Sequence, residues 1–379
     1  MMILFVISIL LSIFYFGFIF FIYLGLKKLS GMTIHESESR SYPSVTLLIP
    51  FRNEEVNLVR AINCVNNLVY PQDKLEVFFI NDNSTDNSLE IFNNAYKKSF
   101  INLLNLDENE SSKARKKRAI LYGIENSRNE IIITTDADCF FIDKWILETI
   151  HYFDDQTALV AGPVDLVVND SWFGGFQRIE FAGLNLAAAG LISIGKPIIC
   201  SAANLAYKRS VFEEVGGFGD TIKYSSGDDD FLLQKIASLR KYKIRFSYSL
   251  ENKVYTEGKD TINGFVNQRA RWASKGFGYE KISTVLLLVL IFLFYLFIPF
   301  QLIMIVFGNS IFMVALIFAI ALKIYSEFLV MKKGLTDLYD KSLLKFFLLA
   351  EFLQIPYIIL SPLIGIFGKF SWKGRSLKK

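Results

Sequence analysis

Ile131-Ile132-Ile133-Thr134-Thr135-Asp136-Ala137-Asp138 is the stretch that decides how this chain folds. Five consecutive β-branched residues, without polar alternation, suit a strand covered on both faces, as in a mostly parallel sheet. Val45 to Ile49 and Leu75 to Ile80 read the same way. Between these runs, Glu54 to Leu68 and Ser84 to Lys98 carry helical spacing, and Asn83-Ser84 is expected to cap the second helix. Alternating strands and helices predict an α/β fold. In open sheets of that class the ligand sits beyond the carboxyl ends of the strands, so the residues that follow each run matter most.

Those residues are polar and acidic. The first run leads into Pro50-Phe51-Arg52-Asn53-Glu54-Glu55, which also reads as a plain strand-to-helix turn. The second leads into Asn81-Asp82-Asn83-Ser84-Thr85-Asp86. The Asp82 carboxylate can accept hydrogen bonds from a nucleobase or ribose, while Asn83 or Ser84 suits a helix cap. Asp136 and Asp138 stand one residue apart, and their mutual repulsion calls for a cation. Oxygen ligands suit Mg²⁺ or Mn²⁺, which commonly bring phosphates with them. Further on, Ser225-Ser226-Gly227-Asp228-Asp229-Asp230 precedes an apolar helical segment. Capping accounts for one of the three acids through the helix dipole, and a spare carboxylate suits a general base. Gln268-Arg269-Ala270-Arg271-Trp272 offers a Trp platform for a sugar and Arg for a diphosphate, or else a basic aromatic anchor at a membrane surface.

Composition places this domain between apolar ends. Hydrophobic residues make up 52% of 379, above the soluble average of roughly 45–50%. The excess lies in Met1 to Leu26 and in Ile282 to Phe370. Residues 1–28 therefore read as an uncleaved membrane anchor, 40–280 as a cytoplasmic domain behind a polar linker from His35 to Tyr42, 282–370 as membrane or interfacial helices, and 371–379 as a basic tail. Val285 to Phe307 and Ile311 to Val330, parted by Gly308-Asn309-Ser310, predict a helical hairpin. Leu343 to Phe367 contains Lys345, Glu351, Gln354, Pro356 and Pro362. Lys27-Lys28 places the domain inside, whereas the tail (Lys369, Lys373, Arg375, Lys378, Lys379) conflicts with a full final span, so part of that stretch is expected to re-enter or lie in the interface. Cys64, Cys139 and Cys200 show no paired spacing and fit a reducing compartment. A net charge of +4 without a basic, aromatic-interleaved run argues against a nucleic-acid partner. His35 and His151 are isolated and receive no catalytic role.

In this order, the motifs resemble family 2 glycosyltransferases of the GT-A fold, in the branch with the pattern D, D-x-D, D, Q-x-x-R-W. The likeness covers roughly residues 43 to 280. It rests on Pro50, Asn53 and Glu54 after the first strand, Asp82 after the second, Lys116 in Lys116-Lys117-Arg118-Ala119, Asp136 and Asp138, Ala203-Asn204-Leu205-Ala206-Tyr207, Asp228-Asp229, and Gln268, Arg271 and Trp272. The resemblance implies a nucleotide-sugar-binding domain with a mixed, mostly parallel sheet, flanked by transmembrane helices. It further implies inverting transfer from a UDP-sugar, with Asp82 on the uridine, Asp136 and Asp138 on Mn²⁺ or Mg²⁺, and Gln268, Arg271 and Trp272 closing over the donor. The family's base is the Asp of a Glu-Asp pair, which assigns Asp229. Asp228 departs from that Glu, and Asp230 leaves a one-residue ambiguity. The acceptor is expected to be a lipid-linked or glycan hydroxyl at the membrane, here a bacterial inner membrane. The alternatives are a processive poly-N-acetylglucosamine-like synthase, a polyprenyl-phosphate sugar synthase whose acceptor needs no strong base, and an inactive scaffold.

Overall fold

The computed structural model describes residues 1–31, 42–107, 115–224, 227–275, 278–279, 281–367, 370–372 and 375–377. His35, most of the expected linker, Ser225, Ser226, Lys369, Lys373, Lys378 and Lys379 lie outside the described residues. The strands of the central domain are β1 (Val45–Phe51), β2 (Leu75–Asn81), β3 (Ile101–Asn105), β4 (Ile131–Thr134), β5 (Phe140–Phe141), β6 (Thr157–Ala161), β7 (Val164–Val167), β8 (Leu205–Lys208), β9 (Lys243–Phe246) and β10 (Val254–Glu257). Seven of them form one sheet in the order β3-β2-β1-β4-β8-β6-β9, and β5-β10-β7 form a small second sheet. β3, β2, β1 and β4 run parallel. β8 runs antiparallel to both β4 and β6, and β9 returns parallel to β6. The mixed, mostly parallel sheet is the one expected.

Pairing of Phe51 with Asn81 and of Leu48 with Thr134 brings the polar stretches after β1, β2 and β4 to one edge. Strand pleating sends Leu47 and Ile49 to one face, where they join Val77, Phe79, Ile131 and Ile133. Leu48, Ile80 and Ile132 face the other way, into a core continuous with Ile22 and Leu26 of the N-terminal helix. Both faces are covered, which explains the lack of polar alternation.

Two expected helices are shorter than their spacing suggests. The first spans Leu58–Asn66 and the second Ser88–Asn94. Asn83 adopts a left-handed φ of 53°, which no helix start accepts. Ser84 Oγ instead accepts the Asn53 N–H, and Asp86 Oδ1 accepts the Ser88 N–H at 3.0 Å, so Asp86 does the work assigned to Asn83-Ser84.

Among the described residues, four helices are long and apolar enough to cross a membrane. They are the N-terminal helix Met2–Ser30, the hairpin Ile282–Val306 and Ile311–Asp337, and the span Lys341–Gly365, a 3₁₀ turn continuing into the final helix Phe347–Phe367. That final helix is unbroken through Pro356 and Pro362. Its Glu351 and Gln354 meet partners on the Ile311–Asp337 helix, which in turn binds Tyr15 and Tyr295 of the other two. Lys323 pairs with Glu351, and with Glu327 at 3.1 Å. Tyr15 donates to Glu327 at 2.7 Å and contacts the Tyr295 hydroxyl at 2.9 Å, and Gln354 donates to Glu327 at 2.8 Å. Charged groups in an apolar bundle persist only when satisfied in this way.

A helix that the motif reading missed, Trp172–Ser193, joins bundle to sheet. It crosses the N-terminal helix where two glycines meet: a Cβ on Gly25 would lie 2.1 Å from Gly190 O, and one on Gly190 2.5 Å from Ile22 O. Ser193 Oγ donates to Gly25 O at 2.8 Å and Lys28 Nζ to Ser193 O at 3.1 Å. Both clashes are with backbone, which cannot rotate away. Gly25→Ala is therefore expected to destabilise the chain by about 1–3 kcal/mol, read as a lower unfolding midpoint in detergent. Gly17→Ala on the same helix meets nothing within 4 Å and should leave the midpoint unchanged; equal shifts in both variants would refute the crossing.

Candidate active site

A cavity of about 900 Å³ opens at the carboxyl edge of the sheet, within the size range of small-molecule sites. Of the residues singled out from sequence, Pro50, Glu54, Asp82, Lys116, Asp136, Asp138, Asp228, Asp229, Gln268, Arg271 and Trp272 line it. Asn53 does not. With a left-handed φ of 51°, its Oδ1 accepts the Thr85 N–H at 2.8 Å, stitching the loops after β1 and β2 together. Arg52 ties the same loops by donating to the carbonyls of Asp82 and Asn83 at 2.7 and 2.6 Å.

Lys116 connects the two acidic motifs. Its ammonium lies 2.6 Å from Asp136 Oδ1 and 3.2 Å from Asp228 Oδ2. Burial opposes its charge, but Asp136 and Asp228 outweigh burial and hold the ammonium above its ordinary range. Among the described residues, the ligand atoms of Asp136, Asp138 and Cys139 lie within 4.8 Å of one another. Burial and the neighbouring aspartates push the Cys139 thiol well up, so it stays protonated. The two carboxylates that remain are hard oxygen donors and fit Mg²⁺ or Mn²⁺. Arg115 pairs with Asp82 at 2.9 Å, a partner that sequence reading missed because the side chain comes from the helix after β3, Arg115–Glu125.

Gly227, with φ 86°, turns the chain so that the three aspartates diverge. Asp228 meets Lys116. Asp229 caps the helix Asp230–Leu239 by accepting the Asp230 N–H at 2.7 Å, and its other oxygen accepts from the Ala202 N–H at 3.3 Å. Asp230 is 1% exposed, accepting from the Cys200 N–H at 2.9 Å, the Tyr279 hydroxyl at 3.1 Å and Lys275 Nζ at 2.6 Å. Both of its oxygens are committed to the interior, and Asp229 faces the cavity more openly. Burial and the adjacent Asp229 push Asp230 up to about 6; at Asp229 burial pulls the same way, but Lys275, the Asp230 N–H and Lys116 together outweigh it and keep the carboxyl below its usual range. Ala203 lines the cavity, but Asn204 is buried behind it, bonded to the Trp145 indole and to the carbonyls of Pro163 and Asn252. His151 caps the end of helix Trp145–Ile150 and is not part of the lining.

The Gln-x-x-Arg-Trp motif lies on helix Ile262–Ala273. Its second residue, Arg269, was not assigned a role, yet it holds the motif in place. It forms a two-pronged buried pair with Glu180 of the Trp172–Ser193 helix and donates to Gln268 Oε1 at 2.7 Å. Its guanidinium lies 4.3 Å from the Trp272 ring centre. Tyr357 of the final helix donates to the same Glu180 at 2.8 Å.

Residues 46–216 match the profile of Glycosyl transferase family 2. The chain carries a family 2 glycosyltransferase domain. Its architecture matches the mannosyltransferase PcManGT of Pyrobaculum calidifontis, solved in complex with GDP-Man and Mn²⁺, with a TM-score of 0.58 and 17% identity, covering 96% of this chain and 99% of that one. The GT-A fold of the glycosyltransferase domain follows. The probable glycosyltransferase YdaM of Bacillus subtilis is 27% identical over 244 residues, covering 62% of this chain and 55% of that protein. The poly-beta-1,6-N-acetyl-D-glucosamine synthase of Staphylococcus epidermidis is 25% identical over 271 residues, covering 69% of this chain and 61% of that protein. The chain thus spans somewhat more than half the length of the curated relatives it matches.

Because Glu180 and Arg269 are buried together, removing one strands the other. Arg269→Met is expected to destabilise the glycosyltransferase domain by about 3–5 kcal/mol. Glu180→Leu combined with Arg269→Met should recover most of that, as read by unfolding midpoints. A double variant no more stable than the single one would contradict the pairing.

Proposed function

We propose that the chain is a metal-dependent, inverting glycosyltransferase that moves a sugar from a UDP-sugar to the hydroxyl of a lipid-linked or glycan acceptor at the membrane. One observation carries this reading: a single cavity is lined both by Asp136, Asp138, Asp228 and Asp229 and by Leu288, Phe292, Ile358 and Leu363 of two membrane-length helices. A polar donor and an acceptor attached to an apolar chain would meet there. The glycosyltransferase domain, on this reading, sits on the cytoplasmic side of a bacterial inner membrane.

Each lining residue then has a task. Asp82, braced by Arg115, accepts hydrogen bonds from the uridine. Pro50 and Glu54 shape the nucleotide wall, and Lys116 keeps Asp136 and Asp228 together while the donor is absent. A Mg²⁺ or Mn²⁺ held by Asp136 and Asp138 would offset the charge that develops on the leaving diphosphate. Arg271 adds a second cation there, and Trp272 with Gln268 closes over the sugar and acceptor. Asp229, ionised at neutral pH, takes the acceptor hydroxyl proton as that oxygen bonds the anomeric carbon and the diphosphate departs with the electron pair of the broken C–O bond.

The likeness to a poly-beta-1,6-N-acetyl-D-glucosamine synthase over 69% of this chain favours processive synthesis as a second reading. Product length separates the two. The polyprenyl-phosphate alternative is separated by Asp229, because a phosphate acceptor needs no base.

Detergent-purified full chain should release UDP from one of UDP-glucose, UDP-galactose or UDP-N-acetylglucosamine with Mn²⁺, and not with chelator. Release from GDP-mannose instead would overturn the uridine assignment. Asp138→Ala should weaken UDP binding only when metal is present; an equal loss in chelator would remove the metal role. Asp229→Asn should keep donor affinity and lower transfer to a hydroxyl by at least about 100-fold.

A further inference from the structure

Asp136, Asp228, Asp229 and Asp230 meet at the cavity, and two lysines divide them. Lys116 serves Asp136 and Asp228. Lys275 serves the other side, 2.6 Å from Asp230 Oδ2 and 3.4 Å from Asp229 Oδ1. Lys275 stands three residues past Trp272, just beyond the helix Ile262–Ala273, so one short segment supplies both the closing motif and the cation for the aspartates.

We propose that Lys275 is a positioning residue for the transfer step: anchored on Asp230, its ammonium keeps Asp229 ionised and turned to the acceptor. The proposal rests on the reading of Asp229 as the base. The anchor is rigid, because Asp230 is also held by the Cys200 N–H and the Tyr279 hydroxyl, and its side chain is 2% exposed. The ammonium is itself nearly enclosed, at 13% side-chain exposure, so water screens its field on Asp229 only weakly. Without that charge, Asp229 would sit beside Asp228 and Asp230 with only more distant cations to favour its charged form.

Those cations are Lys116 and Lys117 on the helix Arg115–Glu125, and Arg271 on the motif helix itself. Lys117 is turned to the carbonyls of Thr221 and Tyr224, and burial pushes it down to about 8, so it contributes a weakened charge. Lys116 is held by Asp136 and Asp228. Tyr279 and Cys200 also face the pair, and burial keeps both neutral across the working range. Of the cations around Asp229, Lys275 favours its charged form most.

The sign of the effect is fixed. Removing the ammonium raises the proton affinity of Asp229 and Asp230, so the base is neutralised at higher pH. The test uses the full chain in detergent with Mn²⁺ and whichever UDP-sugar it cleaves, reading sugar transfer to water as a function of pH. Lys275→Met should move the acid limb of kcat upward by about one to three pH units, and Lys275→Arg should return it towards the wild-type position. Lys275→Gln retains hydrogen bonding without charge and gives the same reading if the Met variant does not fold. A rate lowered equally at every pH, with the acid limb unmoved, would overturn the inference. Asp229→Asn, measured alongside, separates the two layers: its inactivity with an unmoved Lys275→Met limb overturns the inference alone, whereas wild-type transfer by Asp229→Asn removes the base reading and the inference with it.

Discussion

Mutual repulsion among Asp136, Asp138, Asp228, Asp229 and Asp230 is the constraint on which the rest of this structure depends. Carboxylates brought to the edge of one sheet destabilise one another unless cations reach them. The cations come from separate elements: Lys116 from the helix after β3, Lys275 from the segment after the Gln-x-x-Arg-Trp helix. Lys116 spans two acids from different turns, and Lys275 spans the adjacent pair Asp229 and Asp230. Lys116 thereby joins the loop after β4 to the Gly227 turn, and Lys275 joins that turn to the motif helix. Assembly of the site and neutralisation of its charge are one event.

The second organising feature is the junction with the apolar bundle. Helix Trp172–Ser193 is close-packed against the N-terminal helix through Gly25 and Gly190, and the same helix carries Glu180 to Arg269 and Tyr357. A buried ion pair is a poor source of stability, but it tolerates little misalignment. Here it fixes the motif helix relative to the final helix, whose Ile358 and Leu363 wall the cavity.

Much of the site was legible along the chain because its residues follow strand ends. The runs at Val45, Leu75 and Ile131 are apolar on both faces because both faces are covered, and covered parallel strands place their following loops together. Pro50, Glu54, Asp82, Asp136 and Asp138 line one cavity for that reason, whereas Asn53 bonds loop to loop and Asn204 is buried behind the wall. Local signals also failed locally. Asn83-Ser84 has the composition of a cap, yet the left-handed turn at Asn83 gives capping to Asp86.

What the amino-acid order determined by itself is the fold class, the apolar ends and the acidic motifs, since each depends on periodicity or on neighbours within a few residues. What only the tertiary structure decided is which acid faces which cation. Asp228, Asp229 and Asp230 are chemically identical and adjacent, and nothing local distinguishes them. They differ because Lys116 and Lys275, more than 100 and 40 residues away in the chain, arrive on different sides of one turn, and because Cys200 and Tyr279 bury the third. Partners that distant are set by packing, and a short-range pattern carries no record of them.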